Sequence, residues 1–212
     1  MTAPGPVARA AELAALAHQA PLTDDECARA TVALTDDDDR VRGAALGALV
    51  RGGSSPDTLA AWRRALDDGS GSVRRRAAEL APVLGDPTCV EGLVVLLDDH
   101  DVTVVEAAAW ALGELGDATL ADRDAVEVLA RVVTDHRDAL AREAAVAALG
   151  ALGDEAGRAA ILRATEDRPP VRRRAVLALA AFDGDDVDAA LARALTDKDW
   201  QVRQAAEDLT HP

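Results

Sequence analysis

Between Val41 and Val202 one short pattern returns six times, and this recurrence limits the fold more than any other feature of the 212-residue chain. Aligned on the residue that opens each copy, the anchors are Val41, Val73, Val104, Ala141, Val171 and Val202, spaced 32, 31, 37, 30 and 31 residues apart. The long spacing coincides with extra residues at Ala118–Asp124. The position after the anchor is arginine in five copies: Arg42, Arg74, Arg142, Arg172 and Arg203. Apolar residues follow at offsets four, eight and eleven, as in Ala77, Ala81 and Leu84 or Ala145, Leu149 and Leu152. On a helix these offsets and the anchor fall within about 80° of arc, so each copy predicts a helix with one narrow buried stripe.

The stops are as regular as the stripe. Gly85-Asp86, Gly116-Asp117 and Gly153-Asp154 each pair a C-terminal glycine with an acid able to cap the next helix. Asp38, Asp101, Asp138 and Asp199 stand three before their anchors as N-caps, and Pro169-Pro170 opens the fifth copy. A partner helix precedes each copy, over 24–34, 56–66, 87–97, 123–133, 154–164 and 185–195. Val7–His18 reads as one more helix that caps the first repeat, giving about thirteen helices in all. Strand-favouring residues other than valine are scarce, which also points to an all-α chain.

The string V-R-x-x-A-A-x-x-L-G-x-L-G-D, cleanest as V-V-E-A-A-A-W-A-L-G-E-L-G-D at Val104–Asp117, resembles the second helix of a short HEAT-like repeat, the phycobilin-lyase type. The resemblance covers roughly residues 22 to 210. The period alone is shared with ankyrin and tetratricopeptide repeats, but neither of their signature patterns is present. The resemblance implies a right-handed α-α superhelix, a solenoid of about six HEAT-like hairpins, in one domain. Residues 1–21 form its cap, and the repeats run roughly over 22–53, 54–85, 86–117, 118–153, 154–184 and 185–212. In such a stack each unit buries its apolar face against its neighbours.

Formal net charge is −15, the reverse of what a phosphate-binding surface needs, so nucleic acid and anionic membrane are disfavoured as partners. No apolar run approaches membrane-spanning length and the N-terminus lacks a basic leader, so a cytoplasmic protein is expected. Cys27 and Cys89 are far apart and read as buried free thiols. The run Asp36–Asp39 lacks the alternation of a calcium loop. His18, His100, His136 and His211 sit at helix ends or turns and form no ligand set. Neither a metal nor a cofactor is expected.

An acid stands six residues before the arginine in four copies: Asp36 and Arg42, Asp68 and Arg74, Glu166 and Arg172, Asp197 and Arg203. The resemblance implies that such residues stack as a structural ladder tying one repeat's turn to the next, a geometry that suits a bidentate guanidinium. In the third copy Asp99 faces Val105, and in the fourth His136 replaces the acid.

The resemblance also implies that second helices line a concave face, onto which offsets two, six and nine would project. The candidate partner-binding residues are therefore Arg75, Glu79, Glu106, Trp110, Glu143, Arg173 and Leu177, with Trp110 and Leu177 as apolar anchors. Trp62 and Trp200 read as packing residues. Among enzymes of similar repeat type, deoxyhypusine hydroxylases need paired His-Glu motifs; the matching places here read Arg142-Glu143 and Val105-Glu106. Alkylpurine DNA glycosylases find a faint echo in Trp110 and Glu114, and bilin lyases share the repeat without a transferable motif. The expectation is a non-enzymatic scaffold that binds a protein or peptide, with a HEAT-like glycosylase-like or bilin lyase-like enzyme as the alternative. The final repeat has no polar cap, so Ala205, Ala206 and Leu209 are expected to be partly uncovered and to permit self-association.

Overall fold

The computed structural model describes residues 4–19 and 21–210; residues 1–3, 20, 211 and 212, at the edges of the outermost sequence segments, lie outside them. Among the described residues there are fourteen α-helices and no strand. The chain divides into two compact units, Met1–Gly92 and Leu93–Pro212.

The first unit contains α1 (Pro6–Leu16), α2 (Asp24–Ala33), α3 (Asp39–Gly52), α4 (Pro56–Leu66), α5 (Gly71–Leu84) and the start of α6 (Cys89–Leu96). Its helix starts follow from local chemistry. Thr23 and Glu26 form a reciprocal capping box ahead of α2, and Ser55 caps α4 in front of Pro56. Asp38 accepts the Arg40 N–H at the start of α3. Helix α3 packs on α1 on one side and on α5 on the other, with α2 and α4 behind it. Leu13, Ala30, Val41, Ala45, Ala48, Leu49 and Ala61 close the core between these helices. Trp62, wholly buried, fills the space between α4 and α5, and its indole N–H donates to the Ala77 carbonyl at 2.7 Å.

The second unit holds the rest of α6, then α7 (Val102–Leu115), α8 (Asp117–Leu120), α9 (Arg123–Asp135), α10 (Ala139–Leu152), α11 (Glu155–Ala164), α12 (Pro169–Ala178), α13 (Asp185–Ala194) and α14 (Trp200–Thr210). Asp101, Asp138 and Asp154 cap α7, α10 and α11 as the repeat pattern predicts. Gly153 ends α10 in the left-handed conformation (φ +63°), which glycine adopts without the steric cost a Cβ would carry. Gly116 turns differently, at φ +49° and ψ −110°, and leads straight into α8. Asp117 therefore starts that extra helix instead of capping the next first helix. The inserted residues are held by Thr119, whose buried hydroxyl donates to the Leu112 carbonyl at 2.8 Å.

The narrow stripe read from sequence is only part of the buried surface. Offsets zero, four and eight are buried in α3, α5, α7 and α10, but so are offsets five and seven, including Leu46, Leu80, Ala109, Ala111, Val146 and Ala148. A second helix in a stack touches its own first helix and also the second helices beside it; α10, for instance, packs on both α7 and α12. Alanine and glycine make that side-by-side approach possible. A Cβ at Gly150 would stand 2.6 Å from the Ala178 Cβ and 2.9 Å from its Cα, and one at Gly113 would stand 3.2 Å from the Ala148 Cα.

Gly150→Val is accordingly expected to destabilise the protein by about 1–3 kcal/mol, because backbone cannot move aside as a side-chain tip can. Gly69→Ala, where nothing lies within 4 Å, serves as the control and should be near neutral. Urea denaturation of both variants checks this. A Gly150→Val protein as stable as the parent would show that α10 and α12 do not approach so closely.

Candidate partner-binding face

The repeat arginines each make two kinds of bond. One terminal nitrogen donates to a backbone carbonyl in the arginine's own turn: Arg42 to Asp36 at 2.9 Å, Arg74 to Asp68 at 2.7 Å, Arg142 to His136 at 2.8 Å, Arg172 to Asp167 at 2.7 Å and Arg203 to Asp197 at 2.7 Å. The remaining fork reaches forward to the carboxylate of the following turn. Arg42 grips Asp68 at 2.8 and 2.7 Å, Arg142 grips Asp167 at 2.6 and 2.7 Å, and Arg172 grips Asp197 at 3.0 and 2.7 Å. Arg9 on α1 holds both oxygens of Asp36 at 2.9 Å, supplying from the cap what an earlier repeat would supply. The forks therefore tie one repeat's turn to the next, as the resemblance implies, while the bond within each turn goes to a backbone carbonyl and not to the acid's side chain.

Glu166 is not a member. The turn before α12 is one residue shorter, so the Arg172 bond lands five residues back, and Asp167 takes the ladder position while Glu166 is exposed. Each ladder acid also accepts a backbone N–H nearby, as Asp68 does from Ser70 and Asp197 from Asp199. The gripping arginines hold the carboxyls of Asp68, Asp167 and Asp197 below the usual carboxylate range.

The two departures in the middle are the two ends of one missing rung. Val105, buried in the third copy, has no fork to extend. The following turn has no carboxylate at the ladder position to receive one, but His136 there keeps the turn's internal bond by accepting the Asp138 N–H on Nδ1 at 3.1 Å. No metal is needed to explain this histidine. Among the described residues no three histidines, cysteines or carboxylates are gathered as a metal could require, and His211 lies outside them. Burial pushes the Cys89 thiol up to about 12, so it is inert to thiol chemistry near neutral pH, whereas Cys27 is only half-buried.

The exposed side of the second helices is turned from the one expected. Offset nine faces the neighbouring helix, as Gly113 and Gly150 show, while offset ten is open at Arg51, Val83, Glu114, Ala151 and Ala181. The candidate residues also fall in separate units. Arg75 and Glu79 lie on α5 in the first unit, where the Arg75 Nε donates to Glu79 at 2.9 Å and Arg76 approaches the same carboxylate at 3.3 Å. In the second unit Glu106 and Trp110 lie on α7, Glu143 on α10, and Arg173 and Leu177 on α12.

Trp110 is 46% exposed. Glu106 lies one turn before it and Glu114 one turn after it on the same side of α7, and neither carboxylate meets a cation among the described residues. Past Glu143, α10 carries the half-buried Ala144 and Ala147 and the exposed Ala151, all short side chains. Arg174 lies 3.7 Å from Glu143, and Arg173 is exposed further along on α12.

Three expectations change. Leu177 is half-buried against Val176, Ala194 and Val202 and is not a free anchor. Trp200, read as a packing residue, is 64% exposed at the start of α14. Ala205 and Ala206 are buried, so the apolar end predicted for the last repeat is closed there, whereas Leu209 is packed on the same cluster and remains half-buried. Sequence reasoning also passed over Leu140, 40% exposed just ahead of its anchor, and set Glu114 beside Trp110 only as a glycosylase echo, not among the partner-binding residues. Placing the open stripe at offset ten would have found Glu114.

Known proteins share this architecture. The sequence matches the HEAT-repeat family over residues 60–149 and the PBS lyase HEAT-like repeat over residues 141–167. Among solved structures, the complex of CpcE and CpcF of phycocyanin lyase from Nostoc sp. PCC7120 is similar, at 25% identity and a TM-score of 0.61 over 87% of this chain and 74% of that one. A designed armadillo repeat protein in complex with the peptide (KR)4 aligns at 18% identity and a TM-score of 0.64, over 87% and 98% of the two chains. An engineered protein aligns at 22% identity and a TM-score of 0.64, over 89% and 97%. No curated protein is similar enough in sequence to count as a relative. No helix among the described residues is long and apolar enough to cross a membrane.

Proposed function

This chain is a HEAT-like repeat protein, and from that premise we propose that it is a non-enzymatic interaction module whose second-helix face holds a protein or peptide segment. The observation that carries the proposal is Trp110: a large apolar side chain, 46% exposed on a helix whose other sides are packed, and bordered by charge. An exposed indole ringed by polar groups is the composition of a binding hot spot. The rigid helices behind it would let a partner bind without ordering the face, which lowers the cost of association. The neighbours are consistent with this use of the fold. One is a designed repeat protein holding a peptide, and another is a pair of repeat subunits in complex. A cytoplasmic setting and a partner other than nucleic acid or membrane complete the proposal, on the strength of the −15 net charge.

A selection from an unbiased random peptide library on the immobilised protein tests it. Peptides that bind the parent and are lost on Trp110→Ala support the module. Selected peptides that bind both forms equally would contradict it. A ligand-handling role is the second reading, favoured by the PBS lyase repeat match over residues 141–167 and by the phycocyanin lyase neighbour. A stoichiometric change in bilin absorbance on mixing with the purified chain would favour that reading instead.

A further inference from the structure

We propose that the partner segment is basic, and that the unit Leu93–Pro212 seats an arginine or lysine side chain over the Trp110 indole between Glu106 and Glu114. This rests on the reading of the second-helix face as a binding surface and adds the chemistry of what it binds.

Three features on α7 converge on a cation. The indole is the best aromatic partner for a cationic group, and here the side chain is 46% exposed on a packed helix. Glu106 and Glu114 stand one turn to either side, so a guanidinium or ammonium over the ring meets a carboxylate in both directions along the helix. Neither carboxylate is engaged by a cation of the chain among the described residues, unlike Glu79, Asp38 or the ladder acids. A face held together only by packing would have no need for two unpaired acids around its exposed aromatic residue.

The neighbouring helices shape the same site. On α10 Glu143, Ala144 and Ala147 are half-buried and Ala151 is exposed; one is acidic and the alanines are too short to block a side chain laid across the indole. Within this unit, Arg173 and Arg174 lie on α12, and Arg174 is already drawn to Glu143 at 3.7 Å. They would repel a basic group at the α12 side and leave the α7 side as the place where it settles. Net charge of −15 adds a long-range field that draws a basic segment towards the protein. That field alone would not select Trp110, and this difference makes the proposal testable.

The probe is an octapeptide of alternating lysine and arginine, titrated calorimetrically into the full chain at physiological ionic strength, with an aspartate-glutamate octapeptide as the counter-probe. The basic peptide is expected to bind and the acidic one not. Trp110→Ala is expected to weaken binding about 5- to 30-fold, the range of a partly desolvated cation–π contact together with the lost apolar area. The double variant Glu106→Gln and Glu114→Gln should weaken it by at least about fivefold. Glu127→Gln with Asp188→Asn removes the same charge from exposed sites on α9 and α13 and should change affinity by less than about twofold. Trp110, Glu114, Glu127 and Asp188 are exposed and Glu106 is half-buried, and unchanged circular dichroism would verify the fold of each variant.

An undiminished affinity in Trp110→Ala would overturn the proposal. So would an equal loss in the charge-matched control, which would reveal diffuse attraction, or the absence of binding by the basic peptide. If the random library yields Trp110-dependent peptides that carry no arginine or lysine, the basic-segment proposal fails while the binding face stands.

Discussion

Replacing Trp62 by alanine is expected to destabilise the first unit by about 3–5 kcal/mol, the range for removing a fully buried aromatic side chain. The indole has no exposed surface and spans from α4 to α5. Its N–H donates to the Ala77 carbonyl at 2.7 Å, and its six-membered ring approaches Gly92, where a Cβ would stand 3.1 Å from Cη2. Ala61, Ala65, Ala77 and Ala78, buried on the same two helices, are too small to fill the space the indole leaves. Trp62→Phe keeps most of the volume and loses only the hydrogen bond, so it should cost about 1–2 kcal/mol. Guanidinium denaturation with amide exchange across α4 and α5 measures both. A loss below about 1.5 kcal/mol for Trp62→Ala would show that the space closes, contrary to this packing.

The second large effect belongs to the arginine ladder. Arg142→Ala removes a bidentate pair with Asp167 and the bond to the His136 carbonyl, and leaves the carboxylate half-buried without its cation. The expected cost is about 2–3 kcal/mol near neutral pH, since a charge-assisted bond to a shielded group is lost and its partner is stranded. Its pH dependence distinguishes the pair from simple packing. Arg142 holds the Asp167 carboxyl below the usual carboxylate range. A depressed folded-state value contributes stability that is present above the unfolded value, about 3.9, and is lost as pH falls through the folded one. The stability gap between parent and variant should therefore narrow as the pH drops below about 4. A gap that stays constant through that range would assign the effect to lost packing. Arg203→Ala is the internal comparison: its described bonds go only to the carbonyls of Asp197 and Lys198, so it should cost less.

The helices and most of their caps were legible because they depend on local chemistry that repeats. Valine anchors, alanine and leucine at fixed offsets, and aspartates three before the anchor specify each second helix without reference to the rest of the chain. Alignment of the copies also exposed the arginines, but it paired each with the acid of its own turn. The structure uses that turn's carbonyl oxygen and sends the fork to the next turn, the tie between repeats that the resemblance implies and that alignment alone does not assign to particular partners. Read that way, Val105 and His136 cease to be two anomalies and become one absent pair. The one-residue shortening ahead of Pro169-Pro170 was visible in the spacing of 30, yet only the bond from Arg172 shows that it moves the acid from Glu166 to Asp167.

The candidate face was legible in part for a similar reason. Helical periodicity gives the side opposite the buried stripe, and on that basis places Trp110 outward. The sides taken by neighbouring second helices depend on packing, and they rotate the open stripe from offset nine towards ten. Hence Glu114 joins Trp110, whereas Leu177 is drawn into the cluster around Val176 and Val202. Trp200 illustrates the limit of composition as a guide: Trp62 and Trp200 are the same residue type, and one is wholly buried while the other is 64% exposed. The indole N–H of Trp62 finds a carbonyl inside the hairpin, whereas Trp200 stands exposed at the first position of its helix.

A photo-crosslinking amino acid placed at residue 110, and separately at Glu127 on the exposed side of α9, tests the central claim most directly. In cells that express the full chain, position 110 should give a discrete crosslinked protein band and position 127 should not. Equal crosslinking at both positions, or none at 110, would contradict a binding face built around Trp110.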